Sequence, residues 1–285
     1  MIAKTITIRA VTDVAELRVV EDLQIGVWGM PERDVVPLHH LLAAGGAGGR
    51  VLGAFTPDGR LVGFCYGFAG VRGGRPLFYS HMAGVLAAFR DQEIGFRLKQ
   101  AQREAALAAG FTWMVWTYDP LQAGNAYFNL HKLGAESHRY IVNYYGEMQD
   151  ELNRGTDSDR LEVDWWLNDP RVDALMRDDA SPRGKASARG EASPRGVASA
   201  RGVASARDEA NAALPGDLIR IAVPPDITSL RRQDPAAAAW WRETTRRQFL
   251  DAFASGYVAV DVERRPERTT YILIRRTNRQ EAGSG

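Results

Sequence analysis

The chain opens with alternating polar and apolar residues from Met1 to Arg9, a period of two that predicts a strand. The period then lengthens. Val14, Leu17, Val20, Leu23 and Val27 recur at spacings of three and four, which predicts a helix over Val14 to Trp28, capped by Asp13. A second helix is expected from Val35 to Ala44. It carries His39 and His40, whose side chains point about 100° apart and therefore make poor joint metal ligands, one being expected buried and one exposed. Arg50 to Phe55 and Leu61 to Phe68 alternate around Pro57-Asp58-Gly59 and read as a hairpin. Leu77 to Leu86 is a short apolar run bounded by Arg72-Gly73-Gly74-Arg75-Pro76, hence a buried strand. After Arg90, Ile94, Leu98, Ala101, Ala105 and Ala108 define a helix face that Gly110 closes.

The aromatic and β-branched run Thr112 to Thr117 reads as a parallel strand reached by that helical crossover. A helix over Asn125 to Leu133, stopped by Gly134, and strands around Tyr140 to Tyr145 and Leu161 to Leu167 follow. Residues 180–209 break every period: five consecutive hexamers of Ala, Ser, Pro, Arg and Gly, with six basic and three acidic residues, have the composition of a disordered linker. Beyond them, Pro235 to Ala254 is helical, and Tyr257 to Val262 with Thr269 to Arg275 forms a hairpin around Arg265-Pro266-Glu267. The expected organisation is a domain over residues 1–176, a low-complexity tract over 177–212, and a small α+β segment over 213–285. That segment packs on the first domain or on a second copy of the chain, a homodimer.

Composition narrows the classes. With 45% hydrophobic residues the chain can build a core. Thirty-six Lys and Arg against 35 Asp and Glu leave a net charge of +1, which supplies no electrostatic footprint for nucleic acid or an anionic membrane. No stretch approaches the about 18 uncharged apolar residues of a membrane span, and the N-terminus lacks the apolar run of a signal peptide, so a cytoplasmic location is expected. Cys65 is the sole cysteine, which excludes an internal disulfide and cysteine-based zinc sites; no metal is expected.

Between the Leu77 strand and the Ile94 helix lies Arg90-Asp91-Gln92-Glu93-Ile94-Gly95. The first N–H groups of a helix lack internal partners and carry the positive end of its dipole, so such a turn attracts phosphate. The stretch resembles the acyl-CoA pyrophosphate loop of the GNAT (GCN5-related N-acetyltransferase) superfamily: Arg or Gln, two residues, Gly, any residue, then Gly or Ala. Counted from Arg90, Glu93 stands where the pattern has its first glycine and Gly95 where it has its second. The element order over residues 5–167 is similar to that of the superfamily, and Trp116 to Leu121 resembles a segment found in a branch with a C-terminal extension.

The resemblance implies an α/β fold with a mixed central sheet flanked by helices and acetyl-CoA, or another acyl-CoA, as co-substrate. The cofactor would lie between the Leu77 and Thr112 strands, its pyrophosphate on the N–H groups of Gln92, Glu93, Ile94 and Gly95 beside Arg90, its thioester near Gly84 and Val85, and Asn125 along its pantetheine arm. Many members protonate the departing thiolate with a tyrosine at the position held here by Leu130, so Tyr127 and Asn129 are the replacement candidates. Members with a carboxylate base carry it at the position of Tyr79. Regular alternation puts Tyr79, His81 and Ala83 on one face and Phe78, Ser80 and Met82 on the other, so His81 is the general-base candidate, against the alternative of a core histidine. Asp119, at a strand end, is either the holder of a cationic amine or the cap of the turn before Pro120.

These residues suggest direct transfer of an acyl group to a small-molecule or peptide amine. Two rivals stand beside it: a non-catalytic module that binds acyl-CoA or a partner, and a transferase using charged tRNA, for which the chain shows no basic signal.

Overall fold

A computed structural model describes residues 6–146, 156–178 and 218–276. The hexamer tract lies outside the described residues. The chain forms two compact units, Met1–Thr117 with Asn143–Ser158, and Tyr118–Val142 with Asp159–Gly285. That division departs from the one expected at residue 176, because the C-terminal strands continue the pairing of an earlier one.

In the first unit, β1 (Thr7–Ala10), β2 (Arg50–Phe55), β3 (Leu61–Arg72), β4 (Arg75–Val85) and β5 (Trp113–Tyr118) follow one another in sheet order. All neighbours are antiparallel except β4 and β5, so the sheet is mixed, as the helical crossover requires. Helix α1 (Val14–Trp28) is capped by Asp13, whose carboxylate accepts from the N–H groups of Ala15 and Glu16. Helix α2 spans Leu38–Gly46 and begins after Pro37 rather than at Val35, since the residue preceding a proline is steered out of the helical region. Leu17, Val20 and Leu23 of α1 pack with Leu38 and Leu41 of α2 on Phe64 and Tyr66 of β3. Helix α3 (Ile94–Ala108) covers the opposite face, where Ile94 and Leu98 meet Leu52, Val62 and Cys65. Cys65 is a packed thiol, raised to about 12 by burial. Both His39 and His40 are exposed, contrary to the expected division between them.

In the second unit the strand order is β7 (Arg160–Trp166), β6 (Glu136–Ile141), β9 (Tyr257–Arg265), β10 (Arg268–Arg275), β8 (Leu218–Val223). The join is the antiparallel pair Ser137↔Ala259 of β6 and β9. Helices α4 (Ala123–Ala126), α5 (Pro170–Asp178), α6 (Ile227–Gln233) and α7 (Pro235–Ala254) complete it. α4 runs on into a turn of π-helix, Tyr127–Lys132. α7 starts with Pro235 behind the cap Asp234, which accepts from the Ala237 N–H, the position where a proline costs no hydrogen bond. Its Phe249 is stacked on Tyr140 and meets Tyr271 edge-on. No helix among the described residues is long and apolar enough to cross a membrane.

Candidate functional site

β4 is where the first unit departs from regularity. Gly67 of β3 pairs with Ser80 and the preceding Tyr66 with Met82, so His81 is an extra residue bulged out of the strand. A side chain at Gly67 would collide with the Phe78 ring and would meet the Tyr79 carbonyl at 2.7 Å, and glycine is what permits this approach. The bulge corrects the expected alternation. Tyr79 and His81 do share the face that carries α1 and α2, but Met82 joins them opposite Tyr66, while Ala83 crosses to the α3 face opposite Cys65.

His81 is exposed at its edge, yet its ring lies 6.0 Å from Tyr66, 6.0 Å from Phe68 and 6.3 Å from Tyr79. Desolvation by these rings, with His40 nearby, holds its pKa below the ordinary 6.5. It is neither a core histidine nor bound to a carbonyl in any described contact. Tyr79 is half-buried and stacks on Phe68 at 5.4 Å. Burial and the phenols of Tyr145 and Tyr144 push its hydroxyl well above the usual tyrosine value, which suits it to hydrogen bonding rather than to ionisation.

β4 and β5 pair only at Phe78↔Met114 and Tyr79↔Val115. Past Tyr79, β4 continues to Val85 paired with β3, and its other edge is not paired with β5. Gly84 and Val85 lie on this stretch. Gly84 has a packing reason of its own, since a side chain there would meet Trp28 and Val27 of α1 at 2.8 and 2.9 Å. Arg90, Asp91, Gln92 and Glu93 are exposed, and Arg90 Nε donates to the Val85 carbonyl at 3.2 Å. Asp91 and Glu93 both adopt left-handed backbone, φ 59° and 60°, a conformation costing about 1–2 kcal/mol in a residue with a side chain. Glu93 is the N-cap residue of α3 and its carboxylate caps nothing. Ile94 is buried, whereas a side chain added at Gly95 would meet open space. The loop therefore holds Arg90, Gln92, Glu93 and Gly95 around an uncovered helix start.

On the α3 side of β4 lies a polar cluster that sequence reasoning missed. Lys99, 3% exposed, donates to Ser80 Oγ at 2.9 Å and to Gln102 Oε1 at 2.8 Å, with its ammonium 3.9 Å from the centre of the Trp116 ring. Burial pushes the ammonium down to about 7. The signal was available: Lys99, Gln102 and Ala106 recur at spacings of four and three, a second buried stripe carrying polar residues.

The remaining candidates belong to the second unit. Asp119 is buried; Arg242 grips both its oxygens at 2.8 and 2.9 Å, Arg231 adds a contact at 3.1 Å and the Leu121 N–H another at 2.9 Å. Burial alone would raise this carboxyl, but the two guanidinium groups outweigh it and hold it below 3.8. The cation expected from an acceptor is thus supplied by the chain, and the turn-capping alternative is realised as well. Asn125 is exposed on α4 and Asn129 is buried on the π-turn. Tyr127 is stacked on His131 at 4.4 Å. His131 Nδ1 lies 2.8 Å from Asp261 Oδ1, and these residues with Arg264 and Arg265 line a shallow depression of about 270 Å³. Among the described residues no group of three or more His, Cys, Asp or Glu could hold a metal ion.

No protein-family model and no curated protein matches the sequence. Among solved structures the chain is similar to a GNAT family acetyltransferase from Elizabethkingia anophelis with acetyl-CoA bound, at 16% identity and TM-score 0.42, covering 56% of this chain and 97% of that one. It is similar to Arabidopsis thaliana Naa50 in complex with a bisubstrate analogue, at 19% identity and TM-score 0.45 over 56% of this chain and 98% of that one. An aminoglycoside 6'-acetyltransferase of type Ii matches at 18% identity and TM-score 0.45, over 56% and 97% of the two chains.

Proposed function

We propose that this chain is an acyl-CoA-dependent N-acyltransferase, with acetyl-CoA the simplest donor and a primary amine the acceptor. One observation carries the reading: β4 parts from β5 directly after Tyr79, with His81 bulged beside the parting and an uncovered helix start beyond the end of β4. An extended pantetheine arm would run along the open edge of β4 as a strand does, its amides meeting unpaired backbone groups. The pyrophosphate would meet the N–H groups at the start of α3.

Transfer would then proceed by direct attack. The amine nitrogen forms its bond to the thioester carbon, the C–S bond breaks, and CoA departs with the electron pair as a thiolate. A thiolate is stable enough near neutral pH to leave without a donated proton, so neither Tyr127 nor Asn129 is needed as acid. His81, kept neutral by its aromatic surroundings, takes the ammonium proton that attack requires to be lost. Rate enhancement comes chiefly from holding amine and thioester together, and from β4 N–H groups facing the developing oxyanion.

Glu93 favours a second reading, an acyl-CoA-binding module without turnover, because a carboxylate beside a pyrophosphate is repulsive. Mixing the protein with acetyl-CoA and a panel of amines separates the two. Free thiol that appears only when an amine is added supports the transferase; saturable binding with no thiol released supports the module.

A further inference from the structure

We infer that the acceptor is a monoamine carried on an aromatic ring, seated against the rings of Phe68, Tyr79, His81 and Tyr144; this rests on the transferase reading above. Those side chains come from β3, β4 and the turn after β6, all within the first unit. Phe68 and Tyr79 are stacked with an interplanar angle of 23°, and His81 is tilted against both. The phenols of Tyr145 and Tyr144 are close enough to the Tyr79 hydroxyl to push it up together with burial, and Thr117 Oγ1 lies 3.2 Å from the Tyr145 hydroxyl.

The turn is built to present its tyrosines. Tyr144 and Tyr145 are 43% and 45% exposed, with ring centres 4.6 Å apart. Asn143 takes a left-handed φ of 46°, and its side-chain oxygen accepts from the Ser158 N–H at 3.2 Å while Ser158 Oγ accepts from the Tyr145 N–H at 2.9 Å. Strained backbone pinned by side-chain hydrogen bonds keeps two large rings in water, which is costly unless something covers them.

A second observation also points to a ligand. Tyr66 is fully buried, meets His40 and His81 edge-on at 6.0 Å each, and its hydroxyl has no hydrogen-bond partner. A buried hydroxyl left unpaired destabilises the fold, and a polar group on a bound molecule or an ordered water would relieve this.

Charge selects the number of amines. Burial lowers the His81 imidazole and the neighbouring His40 lowers it further, while the phenols of Tyr145 and Tyr144 act on the Tyr79 hydroxyl. A polyamine would bring its second ammonium against these imidazoles and phenols, which are poor partners for it. A ring-bearing monoamine needs only deprotonation, and ring-on-ring contact favours it beyond the area buried.

Thiol release from acetyl-CoA is measured with 2-phenylethylamine, hexylamine and spermidine, on the wild type and on Tyr144→Ala. The expected kcat/KM for 2-phenylethylamine exceeds that for hexylamine by about tenfold and that for spermidine by more. Tyr144→Ala should lower it about threefold to tenfold through KM while sparing hexylamine. Equal or better use of hexylamine or spermidine overturns the aromatic acceptor and leaves the transferase standing, as does a Tyr144→Ala effect common to all three. If no amine releases thiol, the transferase reading fails, and calorimetric titration of 2-phenylethylamine decides this one: binding lost in Tyr144→Ala keeps the site, and no binding to the wild type removes it.

Discussion

The two units dispose of their polar groups in opposite ways. In the second, Asp119 is saturated by Arg231, Arg242 and a backbone N–H. Asp159, likewise buried, is held by the Tyr140 hydroxyl at 2.6 Å and by Arg246 at 2.8 and 2.9 Å. In the first, His81 is half-ringed by aromatics with an edge in water, and the start of α3 stands uncovered behind a loop with two left-handed residues. Both arrangements contain shifted titratable groups, so a shift by itself does not distinguish them. What distinguishes them is closure: a charge whose every lone pair is met by the chain stabilises the fold, and a group with one side open can act on something else.

The comparison is tested most strongly at His81. His81→Gln should lower kcat/KM for amine acetylation by about 10²- to 10⁴-fold while leaving acetyl-CoA affinity unchanged. The wild-type profile should lose activity on its acidic side, where the base becomes protonated, with a midpoint below 6.5 because the folded pKa is depressed. The variant should lack that limb. Near-normal turnover in folded His81→Gln would mean that the open group is not the working one.

Arg242 tests the closed side. Arg242→Met leaves Asp119 buried with one fewer cation and should cost about 3–5 kcal/mol of stability, read as a fall in the denaturant midpoint. Asp119 titrates below 3.8 when folded, so its contribution is whole above that value and drains as pH falls through the folded pKa; the gap between wild type and variant should therefore be widest above that value and narrow as acid protonates the carboxyl. Adding Asp119→Asn should recover part of the loss. A double variant no more stable than the single would show that the carboxylate is not the source of the penalty.

How much was legible follows the same physics. α1, β2, the 94–108 helix and the 235–254 helix stand where their apolar periods placed them, because each period is local and each end carries its own signal, Asp13, Gly110 or Pro235. The bulge at His81 was not legible. It goes with Gly67, paired with Ser80, leaving room for the Phe78 ring and the Tyr79 carbonyl, a relation between residues on two strands that neither strand's period contains. The left-handed Glu93 was half legible: the resemblance marked a glycine position, and the backbone takes the glycine conformation with a glutamate in it. The fate of Asp119 was half legible: the turn at Pro120 marked its capping role, but Arg231 and Arg242 lie more than a hundred residues away across the hexamer tract.

Lys99 sits between the two regimes, in the first unit but closed. Its folded ammonium titrates near 7 against 10.5 in the free side chain, so between those values the unfolded chain binds the proton and the folded chain does not. Stability should therefore rise with pH across that interval, by up to about 1.4 kcal/mol per pH unit, and be lowest at and below 7. The Trp116 face, 3.9 Å from the ammonium, favours the charged form and so keeps the lower end of that interval from falling further. Lys99→Met should flatten this rise in a series of melts from pH 7 to 10. A slope that survives the substitution would place its origin elsewhere.

The smallest expected effect separates the open loop from an ordinary connection. Gly95 has unremarkable backbone and open space where a side chain would stand, so Gly95→Val should fold and melt nearly as the wild type does. If a pyrophosphate approaches α3 through that space, the valine methyls collide with it, and calorimetric titration should show acetyl-CoA bound about tenfold more weakly. Glu93→Gly acts in the other direction for two separable reasons. It removes a carboxylate from beside the phosphates, which should tighten binding most at low salt, and it relieves a left-handed residue with a side chain, which should raise the melting temperature in the absence of any ligand. Opposite changes in affinity from two substitutions two residues apart are what a phosphate seated on this turn requires. Equal affinity in all three proteins would make the turn a connection and nothing more.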